Sequence, residues 1–455
     1  MNSFLLNRQL GSIAPEVLVR AQHDRLLKAL QPASHIRFAL QPPAQTPRNH
    51  APRTVDLAHA AGVNSIAVDR FEGRYLISGG ADSSLAIWDL EAAETYTGEA
   101  VTHLPLTVSA RTSITQSLGI THVSFYPFDS LALLTTGYDH TLKLFSSETL
   151  ETSTSFDLGS IVYSHATSHI ASHLLVACAS QHPAVRLVDL RSGSATHSLA
   201  GHSGAVLSVS WHPKQENILA SGGTDGVVRL WDVRKSASSL GVLDMEDNIG
   251  IAGYDGLGTG SRRREKGRAH NGATNGLVWS DDGRFLVTTG HDERVRVWNM
   301  DTGANTLANF GPGLKNATTT TSLPLLAPSH LSATGRETVF YPNPKEIMAF
   351  DMHNGSLQNR LRIRSSAPHN EVSVSNPKNR TTSLAWRAHH VEMYSAHGDG
   401  TIRCWKPQTA EDLAADQETR EDEHSGAGSM ADRKRKRDAF EQIVADLTTK
   451  KITFS

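Results

Sequence analysis

One spacing between an aspartate and an aromatic residue recurs along this chain of 455 residues and restricts its fold more than any other feature. The Asp stands six residues before the aromatic at five places: Asp82/Trp88, Asp139/Phe145, Asp225/Trp231, Asp292/Trp298 and Asp399/Trp405. A hydroxyl side chain lies four residues before each of these aspartates: Ser78, Thr135, Ser221, Thr288 and Ser395. Short apolar and β-branched runs separated by small-residue turns fill the intervals, which predicts antiparallel strands. The chain is therefore expected to repeat one small β-sheet.

The most complete of these units covers residues 201–234. It opens with Gly201-His202 and closes with Trp231-Asp232, which is typical of a WD repeat, where each repeat forms one blade of a β-propeller. Two degenerate units keep the strand pattern. One has His182 and Val188 in the Asp and aromatic positions, and the other has Pro344 and Phe350.

Seven units predict an all-β fold, a seven-bladed WD-repeat β-propeller over residues 54–406. Residues 54–57 are expected to pair with the last blade and close the ring, because closure removes exposed sheet edges. Residues 1–31 contain an amphipathic helix that ends before Pro32, interpreted as a helical docking arm. The alternative is a helix folded back onto the propeller. Residues 32–53 hold five prolines and are interpreted as a linker.

The repeated polar side chains can form a hydrogen-bond network inside each blade. In three units the network is complete because a His stands 22 or 23 residues before the Asp. Its members are His59, Ser78, Asp82 and Trp88; His202, Ser221, Asp225 and Trp231; and His270, Thr288, Asp292 and Trp298. These sets resemble a catalytic triad, but their recurrence in successive blades favours a structural role. We therefore expect no catalytic residues, no cofactor and no metal site.

Composition restricts the possible classes of function further. The chain has 44 Lys and Arg residues against 46 Asp and Glu residues, so no global field attracts it to nucleic acid or to membranes. Its two cysteines lack a spacing partner, and no apolar run is long enough for a signal peptide or a membrane span, which indicates a soluble intracellular protein. The tail, 407–455, is expected to be disordered. It carries a basic run interpreted as a nuclear import signal: Arg433, Lys434, Arg435, Lys436 and Arg437.

The ending Trp231-Asp232-Val233-Arg234 resembles the box of WD-repeat substrate receptors that dock on the damaged-DNA-binding adaptor of cullin-4 ubiquitin ligases. Residues 188–191 repeat it as Val-Asp-Leu-Arg. Residues 4–9, 72–80, 162–165 and 303–311 are similar to the Cockayne syndrome A family within that class.

This resemblance implies a non-catalytic substrate receptor of a nuclear cullin-4 RING ligase in transcription-coupled nucleotide excision repair. It implies two sets of partners, the adaptor with cullin-4 and the RING subunit on one face, and a Cockayne syndrome B-type translocase with stalled RNA polymerase II on the other. The implied adaptor contacts are Arg234, Asp232, Trp231, Asp225, Arg191, Asp189, Val17, Leu18, Leu27 and Leu30.

Two alternatives stay open at this level. A histone-binding or other chromatin scaffold without a ligase would use the same fold and would need neither the helical arm nor the Arg234 ending. The second concerns the basic insert at 244–269, which is either a solvated loop or a phosphate-contacting patch, so direct contact with nucleic acid is undecided.

Overall fold

The computed structural model describes residues 7, 9–11, 15–33, 35–40, 57–92, 95–96, 101–109, 116–235, 239–245, 267–318, 320–332, 336–362, 380–387 and 389–408. Of residues 15–18, 20, 21, 95, 96 and 194–196 it describes the backbone only. The insert between residues 245 and 267, the basic run 433–437 and all but the first two residues of the tail 407–455 lie outside the described residues.

The chain begins with helix α1 (Pro15–Lys28) and two short strands, β1 (Leu30–Pro32) and β2 (Ile36–Phe38). Proline is well suited to the first position of a helix, since the N–H that it lacks would have no partner there. Arg25 and Lys28 lie in the last turn, where cations complement the helix dipole. The predicted helix before Pro32 is thus present.

Seven four-stranded antiparallel sheets form the blades, as the repeat predicts. Blade 1 contains β3 (Val63–Val68), β4 (Tyr75–Gly80) and β5 (Leu85–Asp89), then the inserted β6 (Thr95–Tyr96) and β7 (Val101–His103), and last β8 (Pro105–Ser109). Blade 2 contains β9 (Ile120–Tyr126), β10 (Asp129–Gly137), β11 (Thr141–Ser146) and β12 (Thr152–Asp157). Blade 3 contains β13 (Val162–Thr167), β14 (Leu175–Ser180), β15 (Ala184–Asp189) and β16 (Ser194–Ala200).

The remaining blades follow the same plan. Blade 4 contains β17 (Val206–Trp211), β18 (Ile218–Gly223), β19 (Val228–Asp232) and β20 (Gly241–Leu243). Blade 5 contains β21 (Thr274–Trp279), β22 (Phe285–Gly290), β23 (Arg294–Asn299) and β24 (Ala304–Asn305). Blade 6 contains β25 (Leu325–Leu326), β26 (Thr338–Pro342), β27 (Glu346–Asp351) and β28 (Leu357–Arg362). Blade 7 takes three strands from the end of the repeat region, β29 (Thr381–Trp386), β30 (Met393–His397) and β31 (Ile402–Pro407).

The fourth strand of blade 7 is β1, which pairs antiparallel with β31, with Leu30 opposite Pro407 and Pro32 opposite Trp405. The prediction that residues 54–57 close the ring is therefore wrong, although residues 54–56 themselves lie outside the described residues. Pro32 is tolerated because β1 is an edge strand, where a missing N–H does not interrupt a ladder. The ring is closed by the residues that follow the helix.

The segment after β1 also departs from the predicted linker. Strand β2 pairs in parallel with β7, and Phe38 is 1% exposed. The Phe38 ring meets Trp88 edge-on at 5.4 Å and stacks on His103 at 5.1 Å. Residues 32–40 are thus part of the propeller, because burying Phe38 at the contact between blades 7 and 1 removes a large apolar side chain from water.

Adjacent blades pack through apolar clusters and are joined by hydroxyl groups near the central channel. Thr121 Oγ1 donates to the Val162 carbonyl at 2.6 Å, and Thr382 Oγ1 donates to the Val63 carbonyl at 2.6 Å. These bonds connect the inner strand of one blade to that of the next, so they fix the relative height of the blades.

The ring has two faces. The helix face carries the turns between first and second strands and between third and fourth strands, and Leu30 and Pro407 lie at this end. The Asp-turn face carries the turns between second and third strands, where Asp82, Asp225 and Asp292 lie. Among the described residues, no helix combines the length and the apolar composition needed to cross a bilayer.

Candidate functional site

The His, hydroxyl, Asp and Trp side chains of blade 4 form one connected hydrogen-bond network. His202 Nε2 lies 2.8 Å from Ser221 Oγ, and Trp231 Nε1 donates to the same oxygen at 2.7 Å. His202 Nδ1 lies 3.1 Å from Asp225 Oδ1. Ser221 and Trp231 are buried, so the hydroxyl is occupied by its neighbours and shielded from solvent. This arrangement satisfies buried polar groups and holds the third strand against the blade.

Blades 1 and 5 repeat the arrangement. The distance from His59 Nε2 to Ser78 Oγ is 2.7 Å, and that from His270 Nε2 to Thr288 Oγ1 is 2.8 Å. Trp88 and Trp298 donate to these hydroxyls at 2.8 and 3.0 Å. His270 Nδ1 bonds Asp292 directly at 2.8 Å, whereas His59 Nδ1 bonds Ser84, with Asp82 at 3.4 Å. Repetition with small variations identifies a structural element of these blades.

Blade 2 contains a network member that sequence reasoning missed. Gln116 stands 23 residues before Asp139, the interval that His202 keeps from Asp225. When the Gln116 amide is oriented so that both neighbours are satisfied, it donates to Asp139 Oδ2 at 2.7 Å and accepts from Thr135 Oγ1 at 2.8 Å. The spacing could have identified Gln116, since an amide supplies both a donor and an acceptor as a neutral imidazole does.

Blade 7 has a similar hydrogen-bond network, but its histidine comes from a different position in the repeat. His397 Nε2 lies 2.8 Å from Ser395 Oγ, to which Trp405 donates at 2.8 Å. Blades 1, 2, 4 and 5 have Gly two residues before the Asp, and a Cβ at Gly290 would lie 2.5 Å from the His270 ring. In blade 7 the position two residues before the Asp, which is Gly in blades 1, 2, 4 and 5, holds His397 and supplies the imidazole itself.

Burial controls the ionisation of this network. Burial alone would raise the pKa of Asp225, but hydrogen bonds from His202 and the backbone lower it to about 2. Burial lowers the pKa of His270, against the opposing effect of Asp292. Burial, together with the Arg403 charge, lowers the pKa of His397 to about 3, against the opposing effect of Asp399. The buried imidazoles of His270 and His397 are therefore neutral at physiological pH.

We expect His397 to make the propeller less stable as the pH falls. Below about pH 6.5 this histidine is protonated in the unfolded chain but stays neutral in the folded protein. The free energy of unfolding therefore falls by about 1.4 kcal/mol for each pH unit by which the pH is lowered. His397→Gln introduces a neutral amide like that of Gln116. It should lower the number of protons taken up on unfolding between pH 6 and 4 by about one, and the pH dependence of stability should become less steep accordingly. Denaturant titrations of both proteins over this range measure it. An identical slope would contradict the assignment of a neutral His397.

The helix face carries the arginines of the predicted docking box. Asp232 is buried, and its carboxylate accepts from Arg234 Nε at 3.0 Å and from Arg234 Nη2 at 2.9 Å. The Arg234 side chain is nevertheless 68% exposed. In blade 3, Asp189 Oδ1 accepts from the Arg191 backbone N–H at 2.9 Å, and Arg191 is exposed. Each Asp thus fixes a turn that directs an arginine to solvent.

The buried Asp232 acts only through Arg234, and four more of the predicted adaptor contacts need correction. Trp231 is 1% exposed, so a partner cannot reach it. Asp225 belongs to the internal network on the Asp-turn face, at the other end of β19 from Arg234. Leu27 and Leu30 are 4% and 0% exposed, because they pack against blades 6 and 7, including Phe340 and Trp405. The side chains of Val17 and Leu18 lie outside the described residues.

The helix face also exposes apolar side chains that the sequence did not single out. Phe71, Phe128 and Ile170 lie in the turns between first and second strands, and each is about half exposed. Val19 on α1 is similarly exposed. Asp24 of α1 lies 4.0 Å from Arg336, which follows the same turn of blade 6. Exposed apolar side chains on one face, with arginines at the rim, are typical of a protein-binding surface. Within the described residues, no cluster of His, Cys, Asp and Glu is placed to hold a metal ion.

The seven blades and their networks define the class of this molecule, a WD-repeat β-propeller protein. The model of the WD domain, G-beta repeat, matches residues 52–89, 193–232 and 263–299. Among curated relatives, WD repeat-containing protein ATCSA-1 of Arabidopsis thaliana is 29% identical over 423 residues, which cover 80% of this chain and 90% of that protein.

Other relatives match shorter parts of the chain. DDB1- and CUL4-associated factor 13 of Dictyostelium discoideum is 30% identical over 104 residues, 23% of this chain and 18% of that protein. Ribosome biogenesis protein ytm1 of Aspergillus niger is 27% identical over 272 residues, which is 52% of each chain. The similarity to ATCSA-1 therefore extends well beyond the part shared with these two proteins.

Proposed function

We propose that this propeller is the substrate-recognition subunit of a nuclear cullin-4 RING ubiquitin ligase that acts in transcription-coupled nucleotide excision repair. The observation that carries the proposal is the placement of exposed Arg234, exposed Arg191 and helix α1 on one face of the ring. Two comparisons support it, the similarity to ATCSA-1 over 80% of the chain and the shorter one to a protein named for association with DDB1 and CUL4.

In this proposal the helix face binds the damaged-DNA-binding adaptor, through which cullin-4 and the RING subunit are recruited. Asp232 holds the Arg234 guanidinium in a fixed orientation, so less conformational entropy is lost when a partner binds it. Val19, Phe71 and Phe128 supply apolar contact area, while Leu27 and Leu30 attach the helix to the propeller. In this arrangement the propeller acts as a receptor, and the RING subunit supports ubiquitin transfer.

The Asp-turn face stays free for substrates in this arrangement. A Cockayne syndrome B-type translocase and stalled RNA polymerase II are the partners that the family resemblance implies. The opposite placement of the two surfaces lets the propeller hold the ligase and its substrate together. Ubiquitin transfer then depends on proximity, which raises the effective concentration of the substrate.

Replacing Arg234 by Ala should weaken adaptor binding about tenfold, because a charge-assisted contact is lost at the interface. The melting temperature should hardly change, since the side chain is 68% exposed. Arg362→Ala is the matched control, because it removes an arginine that is 63% exposed and paired with Glu346 on the other face. Surface plasmon resonance with the purified adaptor measures both variants. Equal loss of affinity in the two variants would contradict docking through Arg234.

Affinity purification from nuclear extract separates the alternatives. A cullin-4 receptor should recover the adaptor and cullin-4, whereas a chromatin scaffold should recover histones. The similarity to ytm1, which covers 52% of the chain, adds a third outcome to be distinguished, the recovery of ribosome assembly particles. Recovery of histones or of ribosomal proteins without the adaptor would overturn the ligase proposal.

Nuclear entry is proposed to depend on the basic run Arg433, Lys434, Arg435, Lys436 and Arg437. Replacing all five residues by Ala should move a fluorescently tagged protein from the nucleus to the cytoplasm, as measured by live-cell imaging. Replacing the three arginines of the run by Lys, which keeps the charge, should preserve import. Unchanged nuclear accumulation of the alanine variant would show that the run is dispensable.

A further inference from the structure

One exposed aromatic residue of the helix face, Phe71, lies on a turn whose backbone is held firmly. Phe71 stands between β3 and β4 of blade 1 and is 50% exposed. The carboxylate of buried Asp69 accepts from the Phe71 backbone N–H at 3.2 Å and from the Glu72 backbone N–H at 3.1 Å. Gly73 ends the turn with a φ of 64°, a left-handed conformation that glycine adopts without steric cost. The turn is therefore fixed by its own residues.

Blade 7 holds the same turn from outside. His389 Nε2 donates to the Phe71 carbonyl at 2.8 Å, and Arg387 Nε donates to the Gly73 carbonyl at 2.6 Å. Arg387 is buried, and its guanidinium is oriented by the Glu392 carboxylate at 3.1 Å. His389 is exposed, so it can be replaced without opening a cavity in the core. Two residues of one blade thus fix the backbone around an exposed phenyl ring of the next blade.

Phe128 is the natural comparison, because it lies in the corresponding turn of blade 2, between β9 and β10, and is 47% exposed. Asp129 accepts from the Leu131 N–H at 2.9 Å, and the Tyr126 ring lies 5.8 Å from the Phe128 ring, so these contacts stay within one hairpin. Among the residues that the structure describes, no neighbouring blade donates a hydrogen bond to this turn. Phe71 and Phe128 are alike in exposure and differ in how firmly their turns are held.

The blade that supplies His389 also carries the end of helix α1. Strand β1, which follows α1, is the outer strand of blade 7. Burial, together with the charges of His23 on α1 and of His389, lowers the pKa of His330 in blade 6, against the opposing effect of Asp281. The imidazoles of α1 and of blades 6 and 7 are therefore near enough to interact. Phe71 and α1 thus lie on neighbouring parts of the helix face.

We propose that Phe71 is the apolar anchor of the helix face, that its ring inserts into an apolar pocket of the partner, and that His389 and Arg387 are positioning residues that hold its turn. This inference rests on the proposed function, in which the helix face binds the ligase adaptor. A turn that is already fixed loses little conformational entropy when a partner binds. Aromatic anchors of this kind carry a large share of the binding energy in protein interfaces.

The first test compares Phe71→Ala with Phe128→Ala in the full chain. Each variant removes one half-exposed phenyl ring from a turn between first and second strands, so neither should change the melting temperature much. In surface plasmon resonance with the purified adaptor, we expect Phe71→Ala to weaken binding at least about thirtyfold and Phe128→Ala less than about threefold. Equal losses in the two variants would overturn the assignment of Phe71 as the anchor.

The second test concerns His389. His389→Ala removes the donor to the Phe71 carbonyl, whereas His389→Gln keeps an N–H donor near the end of the side chain. We expect the alanine variant to weaken adaptor binding about fivefold and the glutamine variant to restore most of the loss. Adding His389→Ala to Phe71→Ala should cause no further loss, because the anchor that His389 positions is then missing. Additive losses in the double variant would overturn the positioning role.

The adaptor itself separates this inference from the proposed function. If the unmodified chain fails to bind the adaptor, both proposals are overturned. If the unmodified chain binds and Arg234→Ala weakens binding, but Phe71→Ala does not, then the ligase proposal stands and the anchor alone is overturned.

Discussion

Replacing Trp231 by Ala is expected to lower the free energy of unfolding by about 3–5 kcal/mol, which is typical of a buried Trp replaced by Ala. Trp231 is 1% exposed and packs in the cluster that joins blades 3 and 4. The change opens a cavity and also removes the donor to Ser221 Oγ at 2.7 Å. Urea-induced unfolding followed by tryptophan fluorescence and circular dichroism measures the loss.

Trp231→Phe separates the two contributions. Blade 2 shows that phenylalanine fits this position, since Phe145 stands there and is buried. The Phe variant should lose about 1–2 kcal/mol, mainly because Ser221 loses a hydrogen-bond donor. A loss below about 1 kcal/mol for the Ala variant would contradict the packing described for blade 4.

The second large effect distinguishes the two roles of the N-terminal region. Deleting residues 1–40 removes β1 and β2, and with them Leu30 and Phe38, which are 0% and 1% exposed. The ring then exposes the edge of β31 and the apolar surface around Trp88. We expect the free energy of unfolding to fall by more than about 5 kcal/mol, with aggregation through the open edge.

Deleting residues 1–21 should have a different outcome. The shorter deletion keeps Leu27, Leu30 and the strands β1 and β2, so the melting temperature should change little. If the exposed part of α1 contacts the adaptor, affinity should nevertheless fall at least about tenfold, because apolar contact area is removed. Differential scanning calorimetry and adaptor binding on both deletions separate closure from docking. Unchanged adaptor affinity after the shorter deletion would remove α1 from the docking surface.

The sequence by itself determined the repeat and therefore the fold. The six-residue interval between Asp and aromatic corresponds to a turn followed by a strand of fixed length. It is therefore kept in blades where single residues differ. Even the degenerate blades 3 and 6 were found, since the strand pattern remains where the network residues are missing. The helix before Pro32 was predicted for the same reason, because its apolar spacing and its proline are local signals.

Closure of the ring was not predictable in this way. Pairing between β1 and β31 joins Leu30 to Pro407, residues at opposite ends of the propeller sequence. Several segments near the N-terminus have the length and composition of an edge strand, and local pattern gives no preference among them. Burial of Phe38 against Trp88 decides the matter, and such a contact exists only once the blades are assembled.

The same distinction between local sequence signals and tertiary contacts applies to the candidate site residues. Sequence identified Arg234 and Arg191, because a short motif places them next to a turn. Only the tertiary structure decided that Asp225 and Trp231 are internal, and that Leu27 and Leu30 hold the helix against the propeller. The physical reason is that exposure is a property of a side chain's surroundings, and residues from distant blades create those surroundings.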